Sequence, residues 1–294
     1  MWMGESMLPV LSLFSFALGA CVASFLNVVI WRVPRGESIV RPPSHCPKCG
    51  AAIRWYQNIP ILSWLVLRGK CANCRAPISP RYILVELLGG CLFLAAFYKY
   101  GLVFLGYEPL WCPFVRLVLM WIWIALMIVG SMIDFDHKLL PDFVTVGGMV
   151  LGVVGNGFFS WVMFAYPPDV TFTLPSTYFL CPIKQSLLGL SFGFGLLWLI
   201  RYLGSKVFRR EAMGLGDVFL MGAVGALFGP LAVLVTLMLS SVFGSVVGLS
   251  LIALSKTRFG RFVEIPYGPY ICLGCLAWMF FGSELVRWYM GIFK

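Results

Sequence analysis

Charge is what this chain has least of. Only 12% of its 294 residues are Asp, Glu, Lys or Arg, while 60% are hydrophobic and the mean hydropathy is +0.91. A soluble domain carries about 25% charged residues, so the balance excludes an ordinary soluble fold and describes a polytopic membrane protein. Histidine is nearly missing too. His45 and His137 are the two present, and they belong to no Ser–His–Asp, Cys–His or HExxH arrangement, which sets those hydrolytic chemistries aside. There is no strand–GxGxxG–helix unit, the usual cradle for a nucleotide-like cofactor. Internal repeats and low-complexity segments are also absent.

The apolar runs set the architecture. Leu8–Ile30 is uncharged over 23 residues. It is too long for a signal-peptide core and no cleavage site follows it, so it reads as a retained helix. Further spans are expected at 82–99, 114–133, 142–165 and 185–203. Val218–Ser255 runs 38 residues without a charge, too long for one span of ~20 residues. Gly229-Pro230 is the expected break, because proline disrupts a helix interior. This gives a short sixth helix and a long seventh, and an eighth from Pro266-Tyr267-Gly268-Pro269 to about residue 283. The expected fold is all-α with about eight transmembrane helices. Residues 1–30 form the first span, 31–81 a small cytoplasmic segment rich in Pro, Gly, Cys and Arg, and 82–294 the remaining membrane domain.

Lys and Arg number 22 against 12 acids, a net charge of +10. In a soluble chain this would suggest nucleic acid; here it reports orientation. Nine of the basic residues lie in Arg32–Arg81, four in Arg201–Arg210 and three in Lys256–Arg261, with Lys138 besides. Eight crossings place all seventeen on one side, the cytoplasm, and both termini in the periplasm.

Cys46-Pro-Lys-Cys49 and Cys71-Ala-Asn-Cys74 form two CxxC knuckles 21 residues apart. Two such turns supply the four sulfurs of a tetrahedral zinc site, and the neighbouring Lys48, Lys70 and Arg75 favour thiolates. Disulfides do not suit a cytoplasmic segment. Four Cys leave no open position for a substrate, so the metal reads as structural, and it supplies much of the folding energy of so short a segment. Cys272 and Cys275 read as small apolar packing residues of the last helix. Cys112 and Cys181 both fall in outer loops, where a disulfide could join them.

Two aspartates stand where apolar runs meet polar ones: Asp134 in Ser131-Met-Ile-Asp134-Phe-Asp136-His137, and Asp217 in Gly214-Leu-Gly216-Asp217. A carboxylate at a membrane surface is costly, and its default reading is functional. The topology puts both on the cytoplasmic side. Gly214 and Gly216 let backbones approach closely and adopt positive φ, which brings the start of the sixth helix against the third. Like charges held together share one proton, so one Asp can take a proton from water while the other donates to a scissile carbonyl. Asp217 also suits a helix cap, and Asp136 and Asp142 read as surface and cap residues.

At this point the residues resemble a known family. Ala23-Ser24-Phe25-Leu26-Asn27-Val28-Val29-Ile30-Trp31-Arg32 with Pro34, the two knuckles, Asn58-Ile-Pro60 with Ser63-Trp64, and Gly69-Lys70-Cys71 stand in order. Ile78-Ser-Pro80-Arg81-Tyr82 with Glu86, Asp134 with Pro141-Asp142, Gly214-Leu-Gly216-Asp217 and Ile265-Pro-Tyr-Gly268-Pro269 complete the series. Together they resemble the bacterial type IV prepilin leader peptidases, bifunctional peptidases and N-methyltransferases of the GxGD class of membrane aspartic proteases. The resemblance implies cleavage of a short basic leader from type IV prepilins or type II secretion pseudopilins. The cut falls after a Gly at the cytoplasmic face of the bacterial inner membrane. S-adenosylmethionine then methylates the new N-terminal residue. It maps the catalytic pair to Asp134 and Asp217, and methyl transfer to the part bearing the four cysteines. The region 155–186 is longer than is usual in that family.

The residues leave the cofactor site open. Glu86, Asn27 and Arg32 are candidates to hold S-adenosylmethionine or the amine, but Glu86 equally suits a helix dipole, and Asn27 and Arg32 equally suit holding the loop of the zinc segment. Glu37, Asp136, Asp142, Glu211 and Glu264 are candidates to receive a basic leader. Two rivals remain: a transferase binding Mg²⁺ on paired aspartates, and a non-enzymatic assembly subunit docking a partner through the zinc segment.

Overall fold

The computed structural model describes residues 2–101, 111–165, 182–209, 211, 213–254 and 266–292. The chain forms two compact units, residues 1–129 and 130–294. Among the described residues the regular structure is helical, apart from two isolated antiparallel bridges. Seven helices are long and apolar enough to cross a membrane, and an eighth apolar helix, Leu215–Phe228, is shorter.

The first unit is built on two long helices, α1 (Trp2–Arg32) and α3 (Arg81–Ala96), which pack along their length. Ala20, Ala23, Leu26, Val29 and Ile30 of α1 are buried, as are Ile83, Val85, Phe93 and Ala96 of α3. The small alanines let the two backbones come close, the usual way helices associate where lipid gives no hydrophobic drive between them. One turn of α4 (Trp111–His137) adds Trp121, which stacks on Phe93 at 5.4 Å and donates its indole N–H to the Phe93 carbonyl. Between α1 and α3 the chain leaves helix for the cysteine segment and the single short turn of α2 (Leu62–Val66).

The second unit surrounds α7 (Leu215–Phe228) with α5 (Asp142–Ala165), α6 (Pro182–Phe208), α8 (Pro230–Leu254) and α9 (Gly268–Ile292). The expected break at Gly229-Pro230 is there. Gly229 takes φ 83°, open to glycine, and Pro230 starts α8. Asn156 of α5 reaches across and donates to the carbonyls of Ala226 and Leu227 at the end of α7. Ser186 of α6 also donates to Ala226. These bonds satisfy carbonyls that a helix end leaves without partners.

One boundary differs from expectation in a way that matters. The third span was expected to end at Asp134, but α4 continues to His137, and the Asp134 carbonyl accepts the Lys138 amide. A carboxylate marks where the chain nears water, not where its hydrogen-bonded ladder stops. The proposed Cys112–Cys181 disulfide and most of the 155–186 region lie outside the residues whose side chains are described.

Candidate active site and metal centre

Asp134 sits one turn inside the end of α4, and Asp217 in the first turn of α7. Both are largely buried, at 6% and 8% exposure. They are close enough for the charge of Asp134 to act on Asp217. Residues 83 apart in sequence are thus brought into one polar cluster within an apolar unit, which is the arrangement a shared-proton pair requires.

The start of α9 completes the cluster. The Gly268 amide donates to Asp134 Oδ2 at 2.9 Å. A Cβ at residue 268 would lie 2.6 Å from that oxygen, so only glycine permits the contact. The Tyr267 hydroxyl is held by Ser240 Oγ at 2.7 Å, and the Tyr267 carbonyl accepts the Tyr270 and Ile271 amides. The N-terminus of α9, the positive end of its dipole, is therefore anchored to α8 and aimed at Asp134. Cys272, 2% exposed, lies one turn on, beside Ser131 and within range of both carboxylates.

Neither expected glycine takes positive φ. Gly214 is extended, with φ −65° and ψ 148°, and caps α7. Gly216 serves a different need: a Cβ there would lie 2.8 Å from the Leu140 Cβ. The close approach is to the turn after α4 and not to α4 itself. Leu140 also reaches the space beside Gly268, so one leucine side chain spaces the glycines next to the two aspartates. At Gly214 a Cβ would meet Asp217 Oδ2 at 3.5 Å, an ordinary contact. Leu140, Tyr267 and Gly268 were not assigned to the site from sequence. Gly268 carried a signal, a glycine immediately before the proline of a helix start, but its partner lies 134 residues away.

In the first unit, the Sγ atoms of Cys46, Cys49, Cys71 and Cys74 all lie within 4.8 Å of one another. Cys46 and Cys74 are 3.9 Å apart. Sulfurs on a tetrahedral zinc at about 2.3 Å stand about 3.8 Å apart, so the four thiols fit that metal. The two knuckles are built alike. The amides of Cys46 and Cys71 donate to the Ala51 and Ala76 carbonyls, and Gly50 and Arg75 return bonds to the carbonyls of Cys46 and Cys71. Gly50 and Arg75 hold the same left-handed position, at φ 69° and 58°. The Cys49 thiol is lowered to about 6, chiefly by the Ala51 amide and then by Asn73. An Ala76 amide bond pulls Cys74 down, but burial and its sulfur neighbours outweigh it and hold that thiol at about 11. His45 stays out of the cluster; its Nδ1 meets the Pro43 carbonyl.

Asn27, Arg32 and Glu86 are each 8% exposed, and all three line a cavity of about 760 Å³ between the cysteine segment, α1 and α3. Each also holds backbone. Asn27 donates to the Tyr82 carbonyl, and Arg32 to the carbonyls of Ser38 and Pro42. Glu86 Oε2 accepts the Ile61 amide at 2.8 Å. Ile61 stands at φ 65°, strained for a β-branched residue by about 1–3 kcal/mol. Of the acids named for a basic leader, Glu37, Asp136 and Asp142 are exposed, Glu211 pairs with Arg201 at 3.3 Å, and Glu264 lies outside the described residues.

Residues 17–100 match the bacterial peptidase A24 N-terminal domain, and residues 121–249 match the type IV leader peptidase family. A prepilin leader peptidase/N-methyltransferase of Myxococcus xanthus is 40% identical over 87% of this chain and 67% of its own. One of the same name from Xanthomonas campestris is 34% identical over 93% and 92%. The chain belongs to the type IV leader peptidase family. It is an enzyme of that family, as the motif order led one to expect. A type 4 prepilin-like proteins leader peptide-processing enzyme of Escherichia coli is 34% identical over 88% of this chain and 90% of its own. No solved structure matches the chain.

Proposed function

We propose that this leader peptidase cleaves the short basic leader of type IV prepilins or type II secretion pseudopilins after a Gly, and N-methylates the residue so exposed. The observation that carries the peptidase reading is the buried pair Asp134 and Asp217, one near the end of α4 and one in the first turn of α7, near enough for the charge of one to act on the other. One carboxylate takes a proton from a water, which attacks the scissile carbonyl carbon. The other gives its proton to the carbonyl oxygen; the first then passes the proton it took from water to the departing amine, while the second recovers one from the tetrahedral diol, which restores the pair. The Gly268 amide keeps Asp134 oriented throughout. Burial excludes bulk water from the pair and strengthens the interaction between them.

The four cysteines would hold Zn²⁺ as a structural ion, joining two chain segments that have little apolar core of their own. S-adenosylmethionine, when bound, supplies the methyl group to the N-terminal amine freed by cleavage. We assign residues 31–81 to methyl transfer, with Arg32 of that segment and Asn27 and Glu86 from the two helices that flank it, and the rest of 82–294 to proteolysis. The distribution of Lys and Arg supports an inner-membrane enzyme with both termini in the periplasm and the zinc segment and aspartates facing the cytoplasm. The apolar helix of the substrate then lies in the bilayer while its leader reaches the aspartates.

The test is cleavage of a prepilin in liposomes by wild type, Asp134→Asn and Asp217→Asn, with and without EDTA. The expected result is loss of cleavage in both variants with the fold kept, and EDTA-insensitive cleavage by wild type over the time zinc is retained. Cleavage by either variant at the wild-type rate would make that aspartate structural.

A further inference from the structure

The segment between α1 and α3 carries an apolar run of its own. Ile59-Pro60-Ile61-Leu62-Ser63-Trp64-Leu65-Val66-Leu67 holds no charge and one hydroxyl, and that hydroxyl, on Ser63, donates to the Tyr56 carbonyl. Ile59, Leu62, Leu65 and Val66 are exposed, Val66 at 80%, and so is Val40 earlier in the segment, at 75%. A contiguous apolar patch left open on a protein surface marks a place that meets another apolar phase. Its height on the helices says which phase. The Ile61 amide is tied to Glu86, which stands five residues inside α3, ~7.5 Å along the axis from Arg81, where that span begins. Val40 and Pro60 line a cavity of about 280 Å³ together with Cys21 and Ser24 of α1. These two lie eleven and eight residues before Arg32, the last residue of α1, or ~16 and ~12 Å back along that helix. The segment does not stand off the ends of the two spans; residues 40 and 59–67 fold back beside them.

The backbone of the run is arranged for the same surroundings. The amides of Ile61, Leu62, Ser63, Leu65 and Leu67 all donate to acceptors within the protein, as hydrocarbon demands and water does not. A carboxylate inside a span is costly unless it has a partner, and Glu86 spends one oxygen on the amide that opens this turn. On either side of the run in sequence stand exposed Arg54, Trp55 and Tyr56, and exposed Arg68. These are the residue types that settle at the level of lipid headgroups. We propose that residues 59–67 form a wedge seated in the membrane. α2 lies in the leaflet from which α1 and α3 emerge, at the ~5–10 Å depth of an interfacial helix, with Leu62, Leu65 and Val66 in lipid and Arg54 and Arg68 among the headgroups. The patch is covered by the bilayer itself, continuous with the lipid-facing sides of α1 and α3, where Phe25 and Leu84 are exposed. The larger cavity of the first unit, which Ile59 and Leu67 help to line, is thereby held at the level of the membrane surface.

The test uses the full-length protein in liposomes of phosphatidylethanolamine and phosphatidylglycerol. These contain a phospholipid with a photoactivatable diazirine on its acyl chain close to the headgroup. After illumination the labelled residues are mapped by mass spectrometry, and a parallel sample is footprinted from the water side with hydroxyl radicals. The expected result is lipid label on Leu62, Leu65 and Val66 with protection of all three from the radicals, while Lys48, beside the cysteines, shows the reverse. Neither map needs a variant. Leu65→Asp combined with Val66→Asp places two charges at exposed positions, so zinc content and helix content should stay at wild-type values. The lipid label over residues 59–67 is then expected to fall severalfold and the oxidation of Leu62 to rise. Oxidation of the run without lipid label would put it in water and overturn the proposal. Protection without lipid label would mean that protein, such as a second copy of the chain, covers the patch, and would overturn it equally. Label unchanged in the double variant would remove Leu65 and Val66 from the lipid and sink the wedge.

Discussion

The Gly268 amide donates to Asp134 Oδ2 at 2.9 Å, and a side chain on residue 268 would occupy the place of that oxygen. The start of one helix is thereby the rest on which a carboxylate from another is set. Gly268→Ala is expected to move the carboxylate by an appreciable fraction of an ångström and to lower kcat for leader cleavage about a hundredfold, the scale of a ~1 Å misplacement. KM should change little. Single-turnover kinetics beside a thermal melt separate this from simple unfolding, and a variant with the wild-type kcat would remove Gly268 from the site.

Gly216 and Leu140 form a second such pair, with 2.8 Å between a hypothetical Cβ and the real one. Gly216→Ala should destabilise the protein and slow cleavage, and Leu140→Ala introduced beside it should restore part of both. The double-mutant cycle should return a coupling of about 0.5–3 kcal/mol. Strict additivity would mean that the two do not press on each other.

Gly214 behaves differently. Among the described residues nothing demands glycine there, since its φ is negative and a Cβ would make only ordinary contact with Asp217. We propose that the glycine is there to leave room for the substrate backbone. Gly214→Ser, a good helix cap, is expected to keep the melting temperature within a degree or two while raising KM for the prepilin severalfold. A fall in melting temperature with KM unchanged would return Gly214 to a structural role.

How much of this was legible beforehand depends on the kind of information involved. The knuckles could be read because metal ligation needs a fixed spacing within each turn, and Cys46, Cys49, Cys71 and Cys74 carry it openly. The aspartates could be read because a charge in an apolar run has few innocent explanations. Their geometry could not. Gly216 does allow the close approach read from the sequence, but without positive φ and against Leu140, and Leu140 and Gly268 enter the site through tertiary contacts that no local pattern encodes.

Removing the metal should act on the first unit alone. Cys71→Ser, or prolonged chelation, is expected to abolish zinc measured by elemental analysis and to open residues 44–79 to limited proteolysis, since ligation holds together two turns with few buried side chains of their own. Full protease resistance without zinc would show that the segment folds on packing alone.

Asn156 offers a test of the second unit. Its amide bridges α5 to the carbonyls of Ala226 and Leu227, at 2.9 and 3.3 Å. Asn156→Leu should cost about 1 kcal/mol, the scale of an interhelical hydrogen bond in a membrane, seen as a lower melting temperature in detergent with zinc content unchanged.

The shortness of α7 has a consequence for the enzyme as a physical object in a bilayer. Its 14 residues rise about 21 Å, well under a hydrocarbon thickness of about 30 Å. Ten of them are buried behind α5, α6, α8 and α9. Hydrophobic mismatch is felt by helices that face lipid, and here those are the longer neighbours, which can tilt. The helix that carries Asp217 is suspended among them like a bearing in its housing. Changes in acyl-chain length or growth temperature should therefore deform the periphery and leave the depth of the reacting groups where it was.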